Sequence, residues 1–388
     1  MISPVEEKTR AATGASDTES LRRWQRERLR AAEDRALRLT KAGSRGLISE
    51  RDIVSCPEAF LAVPAKEVSR IITLASSGTE MLPKRIFFTE ADLRRTADFF
   101  AAGMREIVSP GERALVYMPG KHPYTVGGLL KTALESFGAA CRSVGYFTDE
   151  PAMYEPARET DCLIGTPGQM ACLCGRVPSL RPKAVLLSGE YVADSLIRRM
   201  ERTWGCRVFT HWGMTETAYG GAVSCGCGGL HIRHEDILIE IIEPESGKQL
   251  PDGAWGEIVI STLFHEAMPL LHYRTGDRGR LIATECGCGG VFPRLETGGR
   301  LTQRVQTAAR KELSLTVLDA LLLGLDGICG YEAVWKPEAD LLKIFVCGCE
   351  SEKIRRLLSA EYPGTRIAVF SEPQVSFTAH GKRQLHIE

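Results

Sequence analysis

The chain has 388 residues, enough for two or three domains with cores of their own, and its 44% hydrophobic share suits a folded globular protein rather than a disordered one. Its 49 basic and 49 acidic residues cancel, which argues against nucleic acid as the main partner and points to a small molecule. No apolar run reaches the length of a membrane span, and "MISPVEEKTR" lacks the apolar centre of a secretory signal. The expectation is a cytoplasmic protein without a membrane partner, with a homodimer left open.

In chain order, "TESLRRWQRERLRAAEDRALRLTKAG" sets Leu21, Trp24, Leu29 and Leu37 among charges at helical spacing and predicts a surface helix pair. Five short apolar runs follow, each ending in small or polar residues: "RIITLASSG", "RALVYMPG", "CLIGTPGQ", "KAVLLSGE" and "CRVFTHWGMTE". Between them, "EADLRRTADFFAAGMREIV" and "TVGGLLKTALESFG" carry helical periodicity. Alternating strand and helix predict a layered α/β body whose ligands gather at the carboxyl ends of the strands.

Beyond residue 230, "DILIEIIEPESGKQLPDGAWGEIVISTL" predicts a hairpin in a more antiparallel region. The glycines and charges of "LETGGRLTQR" suggest a hinge. After it come a helix in "KELSLTVLDALLLGL", strands in "GYEAVWKP" and "LLKIFVCG", a helix in "SEKIRRLLSAEY", the strand "RIAVF" and an extended tail. The expected division is a large α/β body over 1–299 and a small mobile α+β domain over 300–388.

Thirteen cysteines, several in CxC pairs, point to a metal or to buried small hydrophobes before disulfides. "SCGCGGLH" groups Cys225, Cys227 and His231, and "ECGCGG" adds Cys286 and Cys288. Zinc accepts thiolate and imidazole in a four-coordinate shell. The pairs Cys172/Cys174 and Cys347/Cys349 have no nearby histidine in sequence and are assigned to structure.

Three segments together carry a resemblance: "LASSGTEMLPKRIFFTEADL", "HWGMTE" and "YRTGDRGRL". In this order and at these separations the chain resembles the adenylate-forming (AMP-dependent synthetase/ligase) superfamily. The stretch from "GLHIRHEDILIEIIEPESGKQLPDGAWGEIVIS" to "CGCGG" is similar, more narrowly, to phenylacetate-coenzyme A ligases. The resemblance runs from about residue 20 to Lys382.

It implies ATP as a substrate bound through AMP-forming chemistry, with Mg²⁺, coenzyme A and a small carboxylic acid, aryl or arylacetic. Ser76, Ser77, Gly78 and Thr79 then offer backbone N–H groups and hydroxyls to the triphosphate, and Lys84 a point charge. Gly189 and Glu190 of "LLSGE" border the nucleotide and acyl pocket. Trp212, Gly213 and Met214 take the adenine side; Thr215 contacts phosphate and Glu216 holds Mg²⁺. Asp277 accepts the ribose hydroxyls, and Arg300, at the domain junction, contacts ribose or phosphate. Lys382 reaches the carboxylate and α-phosphate as charge develops there. Tyr124, Gly127 and Gly128 line the acyl region. For zinc, the resemblance favours Cys225, His231, Cys286 and Cys288, with Cys227 as an alternative ligand, in a structural site.

Glu80 and Met81 stand where the family more often has a Thr-Gly pair. Thr302 and Gln303 stand where relatives have an acidic pair. Two alternatives therefore stay open: an adenylyltransferase-like enzyme without transfer to coenzyme A, and a nucleotide-binding or interaction protein that has lost turnover.

Overall fold

A computed structural model of the chain describes residues 1–43, 46–74, 83–375, 377, 383 and 385–388. The chain opens with α1 (Pro4–Thr13), α2 (Thr18–Leu39) and the short α3 (Glu50–Ser55), then β1 (Arg70–Leu74), β2 (Lys84–Phe88) and α4 (Glu90–Met104). Strand and helix then alternate: β3 (Arg113–Val116), α5 (Val126–Glu135), β4 (Ala140–Ser143), α6 (Pro151–Tyr154), β5 (Cys162–Gly165), α7 (Pro167–Arg176), β6 (Ala184–Ser188), α8 (Asp194–Trp204) and β7 (Arg207–Trp212). Six strands follow: β8 (Ala222–Ser224), β9 (Leu230–Ile232), β10 (Ile237–Ile242), β11 (Gly256–Thr262), β12 (Tyr273–Ile282) and β13 (Arg294–Arg300). The C-terminal part holds β14 (Arg304–Gln306), β15 (Glu312–Ser314), α9 (Leu315–Leu322), β16 (Gly330–Lys336), β17 (Leu341–Cys347), α10 (Ser351–Glu361), β18 (Arg366–Ser371) and β19 (Leu385–Ile387).

Helix starts follow local chemistry. Asp17 accepts a bond from Ser20 N before α2, while Thr89 with Asp92 and Thr166 with Gln169 form reciprocal boxes before α4 and α7. Contacts divide the chain into two compact units: Met1–Glu106, Thr132–Phe137 and His211–Gly298 form the first, and Ile107–Lys131, Gly138–Thr210 and Gly299–Glu388 the second.

In the first unit, β10 pairs antiparallel with β11 and β11 with β12, from Ile237↔Thr262 onward, which is the hairpin expected from the alternation of "ILIEII". β13 and β8 both pair antiparallel with β9. In the second unit, β4, β3, β5 and β6 form a parallel array in that order; β3, β5 and β6 are mostly buried apolar runs, whereas β4, at the edge, alternates exposed and half-buried residues. A four-stranded sheet of order β18-β17-β16-β19 completes this unit. One apolar core holds Leu163 and Val185 of the parallel strands, Met170 of α7, Trp204 of α8, and Trp335 and Ile344 of the C-terminal sheet. Burying such side chains stabilises by about 1.5–3 kcal/mol each.

Locally the structure departs from these expectations and adds to them. "RIITL" is not a strand of the parallel array; β1 pairs antiparallel with β2, Leu74 opposite Lys84. The segment after Asp17 is one 22-residue helix rather than a pair, and it buries Leu21, Gln25, Ala32 and Ala36 while Leu37 is exposed. α1, not expected at all, starts at Pro4 in its first turn with Glu6 and Glu7 behind it. At the end of the chain, Leu385–Ile387 form β19, parallel to β16.

Candidate functional site

In the first unit, the chain leaves β7 into one tight 3₁₀ turn, Thr215–Thr217. Gly213 is required just before it, since a Cβ there would stand 2.2 Å from the Tyr219 carbonyl oxygen. This turn carries Glu216 into the interior, 2% exposed, where Lys84 Nζ lies 2.7 Å from Oε1 and Tyr273 Oη donates to the same oxygen at 2.9 Å. Lys84 also meets Glu50 Oε1 at 2.6 Å. Burial pushes the Glu216 carboxyl up, but the Lys84 ammonium and these hydrogen bonds outweigh it and hold the group below the ordinary carboxylate value. Burial pulls Lys84 down, and its two carboxylate partners more than restore it. The arrangement is a buried ion pair, and Thr215 precedes its carboxylate residue in the same 3₁₀ turn.

The expected adenine-side and ribose-side motifs meet in this unit. Trp212 Nε1 donates to Asp277 Oδ2 at 3.0 Å. Asp277 stands in β12, where Thr275 Oγ1 accepts the Asp277 N–H at 3.0 Å and donates to the Ile258 carbonyl at 2.7 Å, and Gly276 N donates to Glu257 Oε1 at 3.1 Å. The Thr-Gly-Asp segment of β12 is thus held by the side chains of Thr275 and Glu257, and the indole of Trp212 donates to the Asp277 carboxylate.

In the second unit, Gly189 and Glu190 follow β6. Glu190 accepts from the backbone N–H of Arg383 and, through Oε2, from its guanidinium at 3.3 Å. The same guanidinium spans Asp319, with Nη2 2.9 Å from Oδ2, and Tyr331 Oη donates to Asp319 Oδ1 at 2.5 Å. Burial disfavours the Arg383 cation, and Asp319 and Glu190 overcome it, so the charge is retained. A second clamp lies upstream. Arg176 holds Asp149 through Nε at 2.9 Å and donates to the Pro373 carbonyl at 2.7 Å, while Val375 N donates to Asp149 at 3.1 Å. The chain is therefore pinned at 373–375 and again at Arg383, on both sides of Lys382.

Lys382 itself, and Ser76, Ser77, Gly78 and Thr79, lie outside the described residues. Arg300 is exposed at the end of β13. Gly127 and Gly128 open α5 in the second unit, with Gly127 N bonded to the Pro119 carbonyl at 2.8 Å; Tyr124 precedes them in the loop.

The thiols make a separate cluster in the first unit. The ligand atoms of Cys225, His231, Cys286 and Cys288 all lie within 4.8 Å of one another, and all four residues are buried. Cys225 Sγ is 3.6 Å from Cys286 Sγ, and Cys288 Sγ is 3.4 Å from His231 Nε2. Cys227 is exposed and outside the group. The two loops have the same pentapeptide, "CGCGG", and the same turn: Cys225 N donates to Gly229 O at 3.0 Å and Gly228 N to Cys225 O at 2.9 Å, while Cys286 N donates to Gly290 O and Gly289 N to Cys286 O, both at 2.8 Å. Burial raises the Cys286 thiol, but the Cys288 N–H, His231 and the neighbouring thiols bring it down to about 7. Three soft sulfurs and one imidazole, converging and buried, fit a closed four-coordinate zinc shell.

Sequence reading missed Tyr273, Glu50, Asp319 and Arg383. Tyr273 opens the "YRTGDRGRL" motif and Arg383 follows Lys382, so adjacency was an available signal; Glu50 and Asp319 gave none.

Residues 63–264 match the model of the AMP-binding enzyme family. The chain is 30% identical over 301 residues to a phenylacetate-coenzyme A ligase of Thermus thermophilus, covering 74% of this chain and 66% of that one. It is 28% identical to the enzyme of that name from Pseudomonas putida, covering 58% of this chain and 54% of the relative. The chain thus matches only part, in the second case about half, of the length of these curated relatives. Among solved structures, a 2-hydroxyisobutyryl-CoA ligase with 2-HIB-AMP, in the postadenylation state, superposes with a TM-score of 0.79 at 18% identity, over 94% of this chain and 89% of that one. An anthranilate CoA ligase with anthranoyl-AMP gives a TM-score of 0.58 at 16% identity, over 81% and 66%. These structural likenesses bear on the fold: the mixed α/β architecture with a small C-terminal α+β element order is that of these ligases.

Proposed function

The chain belongs to the family of AMP-binding enzymes, and we propose that it is an AMP-forming acid–thiol ligase. The observation that carries this reading is the Trp212–Asp277 hydrogen bond, which joins the two motifs expected to hold adenosine. In the first step a carboxylate oxygen of the acid attacks the α-phosphorus of ATP. The bond to the β-phosphate bridging oxygen breaks, and pyrophosphate leaves with its electron pair. In the second step the sulfur of coenzyme A attacks the acyl carbon, AMP departs, and the thiol proton is released. Adenylation converts a poor leaving oxygen into a good one.

Roles divide by chemistry. Asp277 accepts the ribose hydroxyls, held by Trp212; Gly213 and Met214 shape the adenine side. Ser76, Ser77, Gly78, Thr79 and Thr215 serve the phosphates. Glu216, kept ionised by Lys84, is the carboxylate for Mg²⁺, which neutralises phosphate charge when bound. By the resemblance, Gly189, Glu190 and Arg300 are assigned to the nucleotide, and Lys382 to neutralising the attacking carboxylate and the α-phosphate. The acid is aryl or arylacetic, as the names of the sequence relatives suggest. Cys225, His231, Cys286 and Cys288 would hold a structural Zn²⁺ that ties the two "CGCGG" loops. The protein acts in the cytoplasm on small molecules, with neither nucleic acid nor a membrane as partner; no helix among the described residues is long and apolar enough to cross a membrane. A homodimer is the assembly to test by sedimentation.

ATP–pyrophosphate exchange with a panel of acids, with and without coenzyme A and with Lys382→Ala, tests the reading. Thr302 and Gln303, in place of the relatives' acidic pair, favour a second reading in which the enzyme stops at the adenylate. Exchange without thioester would select it.

A further inference from the structure

Glu6 is a buried carboxylate with one satisfied and one unsatisfied oxygen. Its Oε1 accepts from Arg10 Nη2 and from Val291 N, both at 2.9 Å. Its Oε2 is buried, accepts no hydrogen bond, and faces His231 Nδ1 at 3.5 Å. The other ring nitrogen, Nε2, faces Cys288 Sγ at 3.4 Å. The imidazole therefore has a thiol side and a carboxylate side. Room for this contact depends on Gly290, where a Cβ would stand 2.3 Å from Glu6 Oε2 and 2.8 Å from His231 Cε1.

A buried carboxylate oxygen without a donor is costly, and a proton on His231 Nδ1 removes that cost. The same tautomer leaves the Nε2 lone pair directed at the thiols, which is the form a metal needs. Glu6 lies on α1, and α1 is fastened to the segments that carry the ligands. Thr9 Oγ1 donates to Glu235 Oε2 at 2.6 Å, Lys8 pairs with Glu235, and the Arg10 guanidinium sits 5.1 Å from the Phe292 ring centre. Thr18 Oγ1, just past α1, donates to the Val291 carbonyl at 3.0 Å.

We propose that Glu6 is the positioning residue of the cysteine–histidine metal centre and that metal binding is coupled to the docking of α1. The inference rests on the reading of Cys225, His231, Cys286 and Cys288 as a zinc site. Zinc bridging the two loops fixes the segments around His231 and Val291 on which α1 sits. By linkage, whatever holds α1 in place also favours the metal.

The test uses the full-length chain. Zinc affinity is read by competition with a chromophoric chelator, and amide exchange is followed in α1 before and after zinc is stripped. Glu6→Gln, which keeps size and loses charge, is expected to weaken zinc binding about 10–100-fold, while Glu7→Gln, at an exposed position on the same helix, leaves it unchanged. Stripping zinc from the wild type is expected to speed exchange throughout α1, and this arm decides the matter even if Glu6→Gln does not fold. Wild-type affinity in Glu6→Gln, equal weakening in Glu7→Gln, or α1 exchange indifferent to zinc would overturn the inference while leaving the metal site standing. A wild-type protein that binds no zinc would overturn the metal reading and this inference with it.

Discussion

Trp212 and Asp277 lie 65 residues apart in the chain and are joined by an indole N–H donating to a carboxylate oxygen at 3.0 Å. A hydrogen bond to a charged acceptor contributes about 1.5–3 kcal/mol. Trp212→Phe keeps an aromatic ring and loses the donor, so Asp277 loses the bond that, on the proposed reading, aims it at the ribose. The expected result is a KM for ATP raised about tenfold with kcat nearly unchanged, the pattern of lost uniform binding. Exchange rates at varied ATP check this, and Asp277→Asn is expected to do at least as much harm.

The Lys84–Glu216 pair sets a pH dependence. Glu216 has a folded-state pKa below its ordinary 4.5, so its stabilisation is complete above about pH 4.5 and is lost as pH falls through the lower folded value. Lys84 has its pKa raised above 10.5, so its share is present below that pH and lost above it. Glu216→Gln leaves the buried Lys84 ammonium with Glu50 as its one remaining carboxylate partner of the two and is expected to destabilise the protein at neutral pH by about 1–3 kcal/mol. Urea unfolding of both proteins across pH should show a constant gap through the neutral range that closes in acid. A gap that persists unchanged in acid contradicts the ion-pair account.

How much of this was legible in sequence depended on distance along the chain. The strands β3, β5, β6 and β7 announced themselves as short apolar runs ending in small residues, and the order of the C-terminal elements could be followed from "KELSLTVLDALLLGL" to "RIAVF". "RIITL" misled because its apolar residues suggest a buried strand of a parallel array, whereas β1 pairs antiparallel with Lys84–Phe88 and buries Ile72 while Ile71 is exposed. α1 was missed because it buries Val5, Glu6 and Thr9 rather than an apolar stripe, although Ser3-Pro4 with acids behind it is a helix start. The motifs supplied Trp212, Glu216 and Asp277 as candidates. They could not supply the partners, since Glu190 and Arg383 are 193 residues apart and meet only in the fold.

Arg383 holds Glu190 and Asp319 with a planar fork that lysine cannot reproduce. Arg383→Lys keeps the charge but loses the paired geometry beside Lys382. Pyrophosphate exchange is expected to fall about tenfold or more, with a lower Tm, a stability loss of about 1–3 kcal/mol. Lys382→Ala should abolish exchange and leave the Tm close to wild type. Thermal unfolding and exchange, measured on both variants, separate positioning from chemistry.

Cys227 is exposed and outside the buried group, whereas Cys288 faces His231 at 3.4 Å. Protein purified without chelator is expected to hold about one equivalent of zinc, as one closed four-ligand shell requires. Cys227→Ser should keep it and Cys288→Ser should lose it, with a drop in Tm. Elemental analysis beside thermal unfolding reads both.

The most direct test of the whole account is ATP–pyrophosphate exchange with arylacetic and aryl acids, followed by addition of coenzyme A. The account predicts exchange that requires both the acid and Mg²⁺, abolished by Lys382→Ala, and conversion of the adenylate to a coenzyme A thioester. ATP binding without exchange, whatever acid is supplied, would contradict it.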